Sequence, residues 1–373
     1  MPETSLNIGS TIALPKAEFD GLLAELRQNG YQTIGPRVKD ESIIYEEVET
    51  LADFPRGYRS EQEPGRFHLV KTRTERYFDA IPGAQSWKRF LFPPHVTLLT
   101  AQKNERWHLE HHNEAAPRYA LIGVRPCELA AIEIQDKVFL RSDFYDPIYR
   151  ARRERVFILA VNCLYPAGTC FCTSLDTGPK ATRQFDLLLT ECDDAFLIEI
   201  GSELGKSMLA GRSFEPASAF ILNTASQNIK LASEQIERRL ETSDLPMLMT
   251  ANLDAHRWDE VAKRCLSCAN CTQVCPTCFC WDATDHTYLT GKTTRRERVW
   301  DSCFNPNYSY QAGGNTRPNI RSRYRQWLTH KFGTWQEQFG TIGCTGCGRC
   351  LTWCPAGIDH LEEIAALRAE VAK

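Results

Sequence analysis

The sequence predicts a mixed α/β domain over residues 1–250, followed by a mainly α-helical domain over residues 251–373. In the first part, short apolar runs rich in β-branched residues alternate with helix-like segments. In the second part, two cysteine-rich motifs lie between segments with helical spacing. The order strand, helix, strand in the first part is typical of a sheet with crossover helices.

Four apolar runs of the first domain are predicted to be strands. They are YALIGV (119–124), RVFILAV (155–161), FDLLLTE (185–191) and AFLIEI (195–200). CELAAIEIQDKVF (127–139) is predicted to be a helix between the first two strands. Residues 35–118 are rich in Pro, Gly and charge, and we expect an irregular, extended region there.

Three segments of the second domain have the spacing of helices. They are DAHRWDEVAKRC (254–265), NIRSRYRQWLTHKF (319–332) and IDHLEEIAALRAEVA (358–372). Apolar residues are sparse in this domain for its size. We therefore expect inorganic clusters to hold it together.

Composition excludes several classes of protein. The 373 residues carry a formal net charge of −3, which gives no general attraction to nucleic acid or to anionic membranes. No apolar run approaches the roughly 18–20 residues that span a bilayer. The N-terminus lacks a basic start followed by an apolar stretch, so no secretion signal is expected and the predicted location is the cytoplasm. Sixteen cysteines in a reducing compartment indicate metal binding rather than disulfides.

The second domain contains the motif C-x2-C-x2-C-x3-C-P twice. The first copy is Cys265, Cys268, Cys271 and Cys275 before Pro276, and the second is Cys344, Cys347, Cys350 and Cys354 before Pro355. This run is typical of bacterial ferredoxins, in which the fourth cysteine ligates the other cluster. The motif predicts a ferredoxin-like dicluster domain with two [4Fe–4S] clusters. The predicted ligands are Cys265, Cys268, Cys271 and Cys354 for the first cluster, and Cys344, Cys347, Cys350 and Cys275 for the second.

Zinc is the alternative metal for these motifs. Structural zinc sites favour two CxxC pairs with a longer gap between them, and a doubled three-cysteine run does not match that spacing. Gly343, Gly346 and Gly348 would let backbone N–H groups approach cluster sulfurs. Simple loop flexibility is the other interpretation of these glycines.

A third set of cysteines lies in the first domain. Cys127 follows the first predicted strand, Cys163 follows the second, and Cys170 and Cys172 come shortly after. Ends of neighbouring strands are adjacent in space, so these four thiolates can converge on a third [4Fe–4S] cluster. Buried thiols or a zinc site are the alternatives. The remaining cysteines are Cys192, Cys278, Cys280 and Cys303. We expect them to be packing or outer-shell thiols; a ligand role, as in a fourth cluster, is the alternative.

Several segments together resemble one known family. GVRPCELAAI, CFCTSLDTGP, WDSCF and AGGNTRPNIRSRYRQW, with the two cysteine motifs, are similar to the iron–sulfur β subunit of cytoplasmic sulfhydrogenase-type [NiFe] hydrogenases. Anaerobic sulfite reductase has an iron–sulfur subunit with similar motifs. The resemblance runs from about residue 30 to the last cysteine. Glu128 departs from it, since an aspartate is expected after Cys127.

The resemblance implies an electron-transfer subunit of an oxidoreductase complex. Such a subunit lies between a flavin subunit that handles NAD(P)H and the small and large subunits of a [NiFe] hydrogenase. The resemblance also supports the third cluster at Cys127, Cys163, Cys170 and Cys172. A subunit of a sulfite reductase-type complex, or a stand-alone iron–sulfur sensor or scaffold, is the alternative.

The sequence offers no catalytic site of its own. No GxGxxG follows a predicted strand, so no dinucleotide-binding turn is visible. GSELGKS (201–207) is one residue too short for a phosphate-binding loop and is predicted to be a strand-to-helix turn. The catalytic partner, the choice of NAD or NADP and the direction of electron flow cannot be predicted from these residues.

Overall fold

The computed structural model describes residues 6–112, 116–141, 143–210 and 214–371. The strands are β1 (Thr11–Pro15), β2 (Gln32–Lys39), β3 (Ser42–Glu47), β4 (Tyr58–Glu63), β5 (Arg66–Lys71), β6 (His95–Lys103), β7 (Trp107–His111), β8 (Tyr119–Val124), β9 (Phe157–Val161), β10 (Leu187–Glu191), β11 (Ala195–Ile200), β12 (Glu215–Pro216), β13 (Trp281–Thr287), β14 (Thr293–Trp300), β15 (Tyr310–Gln311) and β16 (Gly314–Asn315).

The α-helices are α1 (Phe19–Gln28), α2 (Lys88–Leu91), α3 (Pro126–Phe139), α4 (Pro147–Arg153), α5 (Glu203–Met208), α6 (Ala219–Glu234), α7 (Leu245–Ala251), α8 (Arg257–Arg264), α9 (Asn270–Gln273), α10 (Ile320–Thr329), α11 (Trp335–Phe339), α12 (Arg349–Thr352) and α13 (His360–Val371). Short 3-10 turns lie at Lys16–Glu18, Leu51–Asp53 and Cys172–Leu175, and a π-helical turn at His330–Thr334 joins α10 to α11.

An eight-stranded sheet forms the centre of the N-terminal part. Its strand order is β12-β1-β11-β10-β9-β8-β2-β3. Strands β2, β8, β9 and β10 run parallel, and the outer strands pair antiparallel. Both faces of the parallel strands are covered, which is why β9 and β10 are buried along their whole length.

Helices cover the sheet on its two faces. On one face, α1 inserts Phe19, Leu22 and Leu26 into a cluster of apolar side chains that includes residues of β8 to β11. On the other face, Leu129 and Ile132 of α3 pack with Tyr149 of α4. The mixed α/β architecture predicted for this part is therefore confirmed, and the four predicted strands correspond to β8, β9, β10 and β11.

Residues 35–118 differ from the expected irregular region, because they contain most of β2 and all of β3 to β7. β4 pairs with β5, and β6 pairs with β7, as antiparallel hairpins. Most exposed positions of these strands are polar or charged, and β7 exposes Trp107 and Leu109, so no buried apolar run marks these strands in the sequence. The expected turn at residues 201–207 is present, since the Ser202 hydroxyl accepts a hydrogen bond from Gly205 N at the start of α5.

The C-terminal part has its own apolar core. Trp258 of α8, Leu328 of α10 and Leu367 of α13 are buried in it. These helices match the three predicted helical segments. The mainly helical make-up of this part is not confirmed, because β13 and β14 form a long antiparallel hairpin.

The β13–β14 hairpin pairs with a strand from the N-terminal part. β14 lies antiparallel to β6, which gives a four-stranded sheet of order β13-β14-β6-β7. The two parts of the chain thus share one sheet as well as their packed cores. Among the described residues, no helix is long and apolar enough to cross a membrane.

Candidate metal centres

The two cysteine motifs adopt the same backbone conformation. Ser267 and Ala269 of the first motif have φ of 53° and 67°, and Gly346 and Gly348 of the second have φ of 63° and 72°. These positive φ values curl each loop so that successive cysteines face the same side. A one-turn helix follows each loop, α9 in the first motif and α12 in the second.

Backbone amides donate hydrogen bonds to cysteine sulfurs in both loops. Ser267 N donates to Cys265 Sγ at 3.4 Å, and Gly346 N donates to Cys344 Sγ at the same distance. Ile358 N donates to Cys354 Sγ at 3.3 Å. Amide hydrogen bonds of this kind stabilise thiolates and tune iron–sulfur clusters.

Cysteines from both motifs line the first cavity. They are Cys265, Cys268, Cys271, Cys350 and Cys354. Cys350 belongs to the predicted ligands of the second cluster, and the other four are the predicted ligands of the first. The other walls are apolar and include Phe304, Tyr324 and Trp327. Burial first, and the neighbouring thiols second, raise the pKa of Cys271 well above its ordinary value. Cys268 is exposed, so this first thiol set reaches the protein surface.

The second thiol set consists of Cys275, Cys344, Cys347 and Cys350. Burial raises the pKa of Cys344 to about 12, and burial together with the thiols of Cys344, Cys275 and Cys347 raises that of Cys350. The pKa of Cys275 lies well below its ordinary value, mainly because the Cys278 thiol donates a hydrogen bond to it. Burial acts in the opposite direction, and the positive charge of Lys331 lowers the pKa further. Four thiols in mutual electrostatic contact have the composition of a cluster site.

Two buried lysines lie against these thiols. Lys331 Nζ donates to Cys275 Sγ at 3.3 Å, to Thr277 Oγ1 at 3.1 Å and to the Gly343 carbonyl at 2.7 Å. Lys88 Nζ donates to the Cys278 carbonyl at 3.2 Å. Lys88 and Lys331 are 4% and 2% exposed. Because a buried ammonium needs an anionic neighbour, these lysines favour thiolates over neutral thiols nearby.

The third thiol set lies where two parallel strands end. Cys127 opens α3 just after β8, and Cys163 follows β9. Cys163, Cys170 and Cys172 are buried, and all four thiols line one cavity together with Cys347 of the second set. Burial is the main cause of the raised pKa of three of these thiols. It raises the pKa of Cys170 to about 12, and it also raises the pKa values of Cys127 and Cys172.

A buried polar network surrounds the third set. Arg125 Nη1 donates to Cys163 Sγ at 3.2 Å, while Nη2 donates to the carbonyls of Phe78 and Ala80 at 2.6 and 2.7 Å. Arg349 lies between Cys347 and Cys350 in the sequence. It forms an ion pair with Glu128, with 2.7 Å between Nη2 and Oε1. Two guanidinium groups and one carboxylate thus leave a net positive charge beside the four thiols.

The second motif packs directly against the third set. Phe171 N donates to the Gly346 carbonyl at 2.8 Å, and Thr177 Oγ1 donates to the Thr345 carbonyl at 2.7 Å. A Cβ on Gly346 would lie 2.6 Å from Cys172 Cα, so only glycine fits here. The second and third sets are therefore neighbours across a tight backbone contact.

Four cysteines lie outside these sets. Cys192 lies in the turn between β10 and β11, away from the motifs. Cys278 contacts Cys275, and Cys280 contacts Cys303. Sequence reasoning favoured no ligand role for these cysteines and did not single out Lys88 or Arg125. Lys88 is far from every cysteine motif in the sequence, and Arg125, two residues before Cys127, is a single basic residue that by itself does not predict contact with a sulfur.

The donor sets fit iron–sulfur clusters. All sixteen cysteines are free thiols. In the part of the chain that the structure describes, no group of three His, Cys, Asp or Glu side chains converges on a single-ion site. Each set instead surrounds a wider space with soft sulfur donors, and amides or basic side chains donate to several of those sulfurs, as cluster sites require.

Comparison with known proteins places the chain in a family. The model of the 4Fe–4S dicluster domain matches residues 264–358. Sulfhydrogenase 2 subunit beta of Pyrococcus furiosus is 31% identical over 306 residues, which cover 81% of this chain and 89% of that protein. No solved structure matches the chain. The fold is therefore a mixed α/β structure with a C-terminal 4Fe–4S dicluster domain, and the chain belongs to the sulfhydrogenase beta subunit family.

Proposed function

We propose that this chain is the electron-transfer subunit of a cytoplasmic [NiFe] hydrogenase complex. In this role it relays electrons between a flavin subunit that uses NAD(P)H and the hydrogenase small and large subunits. One observation carries the proposal. The three thiol sets are contiguous, since Cys347 of the second set also lines the third cavity and Cys275 of the second set lies near Cys271 of the first.

Twelve cysteines would hold three [4Fe–4S] clusters. The first cluster would be held by Cys265, Cys268, Cys271 and Cys354, the second by Cys275, Cys344, Cys347 and Cys350, and the third by Cys127, Cys163, Cys170 and Cys172. When bound, such clusters take up and release single electrons. The proposed domain division places the third set in residues 1–250 and the other two in residues 251–373.

The protein's own residues prepare these sites for electron transfer. Phe304, Tyr324 and Trp327 keep water from one side of the first cavity. Lys331 and Arg125 donate to sulfurs of the second and third sets, which favours the more negative, reduced state of a bound cluster. The exposed Cys268 gives the first set a surface at which a partner protein can exchange electrons.

The family relationship supports this role, because the similar protein is named as a subunit of a sulfhydrogenase. The identity of the neighbouring subunits and the cytoplasmic location are part of the proposal. Sixteen free thiols support a reducing compartment, where such thiols persist.

Anaerobic native purification tests the proposal. We expect co-purified flavin and [NiFe] subunits, nickel in the complex, and about twelve iron atoms for each copy of this chain, as three [4Fe–4S] clusters require. Siroheme in place of nickel would replace the hydrogenase role with a sulfite reductase-type role. Stoichiometric zinc with little iron or acid-labile sulfide would refute the iron–sulfur assignment itself.

A further inference from the structure

The open end of the β13–β14 hairpin holds two cysteines against each other. Trp281 and Trp300 form the first residue pair of the hairpin. Just before it, the Cys280 carbonyl accepts a hydrogen bond from Asp301 N at 3.0 Å. Cys303 follows two residues later, and its side chain hydrogen-bonds to the side chain of Cys280. Thiols that are distant in sequence are therefore adjacent in the fold.

The turn that carries Cys303 is fixed by hydrogen bonds. The Asp301 carboxylate accepts from Ser302 N at 2.7 Å and from Asn305 Nδ2 at 2.9 Å. The buried Ser302 hydroxyl bonds to Thr272 Oγ1 at 2.7 Å. These hydrogen bonds fix the turn that carries Cys303 beside Cys280.

The two thiols differ in acidity. The hydrogen bond from Cys303 is the main cause that lowers the pKa of Cys280 to about 6, and the Tyr308 hydroxyl donates to the same sulfur. The same contact, with burial, raises the pKa of Cys303 well above its ordinary value. At neutral pH the pair is one thiolate and one thiol. Both residues are partly exposed.

We propose that Cys280 and Cys303 form a thiol–disulfide exchange site that accepts small-molecule disulfides. The contact between the sulfurs and their unequal acidity are the features of a dithiol with an attacking and a resolving cysteine. None of the twelve thiols assigned to clusters takes part. The inference is therefore independent of the proposed function.

The exchange is balanced in two steps. The Cys280 thiolate attacks one sulfur of the small disulfide, the disulfide bond breaks, and one small thiolate leaves. The Cys303 thiol gives its proton to that thiolate and attacks Cys280 in the mixed disulfide, which releases a second small thiolate. The protein pair is oxidised to a disulfide, and the small disulfide is reduced to one thiol and one thiolate.

The site lies beside the first thiol set. After Cys280, Cys271 is the thiol whose charge contributes most to raising the pKa of Cys303. Closing the disulfide would remove one negative charge next to a proposed cluster ligand. A change in the oxidation state of this pair would therefore change the electrostatic environment of the first thiol set.

Peptide mapping of the anaerobically purified native complex tests the proposal. The complex is exposed to glutathione disulfide, alkylated, digested and analysed by mass spectrometry, with iron measured in parallel. We expect a peptide crosslinked through Cys280 and Cys303, its loss on treatment with dithiothreitol, and unchanged iron. The Cys303→Ser variant should stop at a glutathione adduct on Cys280, whereas the matched control Cys192→Ser should form the crosslink normally.

Two results would overturn the proposal. One is that the unmodified protein forms no crosslink at any ratio of reduced to oxidised glutathione. The other is the loss of about four iron atoms per chain in both Cys303→Ser and Cys280→Ser, the content of one [4Fe–4S] cluster. That loss would identify the pair as cluster ligands.

Discussion

Arg125 brings a permanent positive charge into contact with the sulfur of Cys163. The residue is 4% exposed, and its guanidinium also donates to the carbonyls of Phe78 and Ala80. The residue thus has two separable roles. It binds the backbone carbonyls of residues 78 and 80, and it places a charged donor on the sulfur of a proposed ligand.

Replacing Arg125 should separate these two roles. In Arg125→Gln, the lost charge and sulfur hydrogen bond should lower the midpoint potential of the third cluster, measured by potentiometric EPR. The two orphaned carbonyls should cost about 1–3 kcal/mol each in free energy of unfolding. Arg125→Lys is the matched control, because it keeps the charge. Equal potentials in the two variants and the unmodified protein would contradict the role in tuning.

His330 makes stability depend on pH. It is held between Trp335, whose ring centroid is 4.9 Å away, and Gln338, which bonds to Nε2 at 3.0 Å. Burial lowers the pKa of His330 below its ordinary value. In the unfolded chain the imidazole titrates near pH 6.5, so below that pH the unfolded state binds more protons than the fold.

Stability should therefore be lost as pH falls from about 6.5 toward the folded pKa of His330. The difference in Tm between about pH 7.5 and about pH 5.5 should be smaller in His330→Gln than in the unmodified protein. The exposed His108, changed to Gln, is the control and should leave the difference unchanged. An equal loss of Tm in His330→Gln would show that another group causes the pH dependence.

At the scale of elements, the second motif loop is the contact on which the third thiol set depends. Gly346 has a positive φ and no room for a side chain beside Cys172. In Gly346→Ala, the added methyl group should push the loop away from residues 171–172. We expect a lower Tm and loss of iron from the third set. Gly313→Ala is the matched control, because nothing lies within 4 Å of its Cβ position.

The ion pair between α3 and α12 should also be critical. Arg349 and Glu128 have side chains 3% and 2% exposed, and Tyr45 donates to the same carboxylate. Arg349→Met leaves a buried carboxylate without its cation, which typically costs about 3–5 kcal/mol. Urea unfolding of Arg349→Met, Glu128→Gln and the double variant measures the coupling energy between the two residues. The double variant should lose less free energy of unfolding than the sum of the two single variants. Additive effects of the two changes would show that the pair does not link the two helices energetically.

The elements also show how far sequence reasoning reaches. β8 to β11 were predictable because strands buried on both faces are continuous apolar runs. The β13–β14 hairpin was not predictable, since both strands are mostly polar, β13 is mostly exposed, and the pairing of β14 with β6 is a long-range contact. The doubled motif predicts which thiols group together. Lys88 and Lys331 are brought to them by the tertiary structure, whereas Arg125 and Arg349 lie beside cysteines in the sequence.

At the scale of the whole molecule, the thiol sets replace part of the hydrophobic core. The apolar cluster of the C-terminal part packs against cysteines of both motifs. Removing one proposed ligand should therefore destabilise more than its own site. Cys271→Ser should lower iron content and the Tm of the C-terminal part, because cluster binding and folding are coupled.

Cys347→Ser should have the wider effect, since Cys347 also borders the third cavity. We expect its iron loss to exceed that of Cys271→Ser, measured by iron and acid-labile sulfide in the same preparations. Cys192→Ser is the control and should retain all iron. Unchanged iron content and an unchanged melting curve in both ligand variants would contradict the proposed ligation.

The pairing of β14 with β6 has a consequence for biosynthesis. Lys103 N donates to the Lys292 carbonyl at 2.7 Å and β14 pairs along β6, so the four-stranded sheet is complete only after β14 has been synthesised. Cys347, which lines the third cavity, and Arg349 are also synthesised long after Cys172. We therefore expect iron to enter the proposed third cluster site only after the second motif has been synthesised, and a chain that stalls before that point would expose reactive sulfur to the cell.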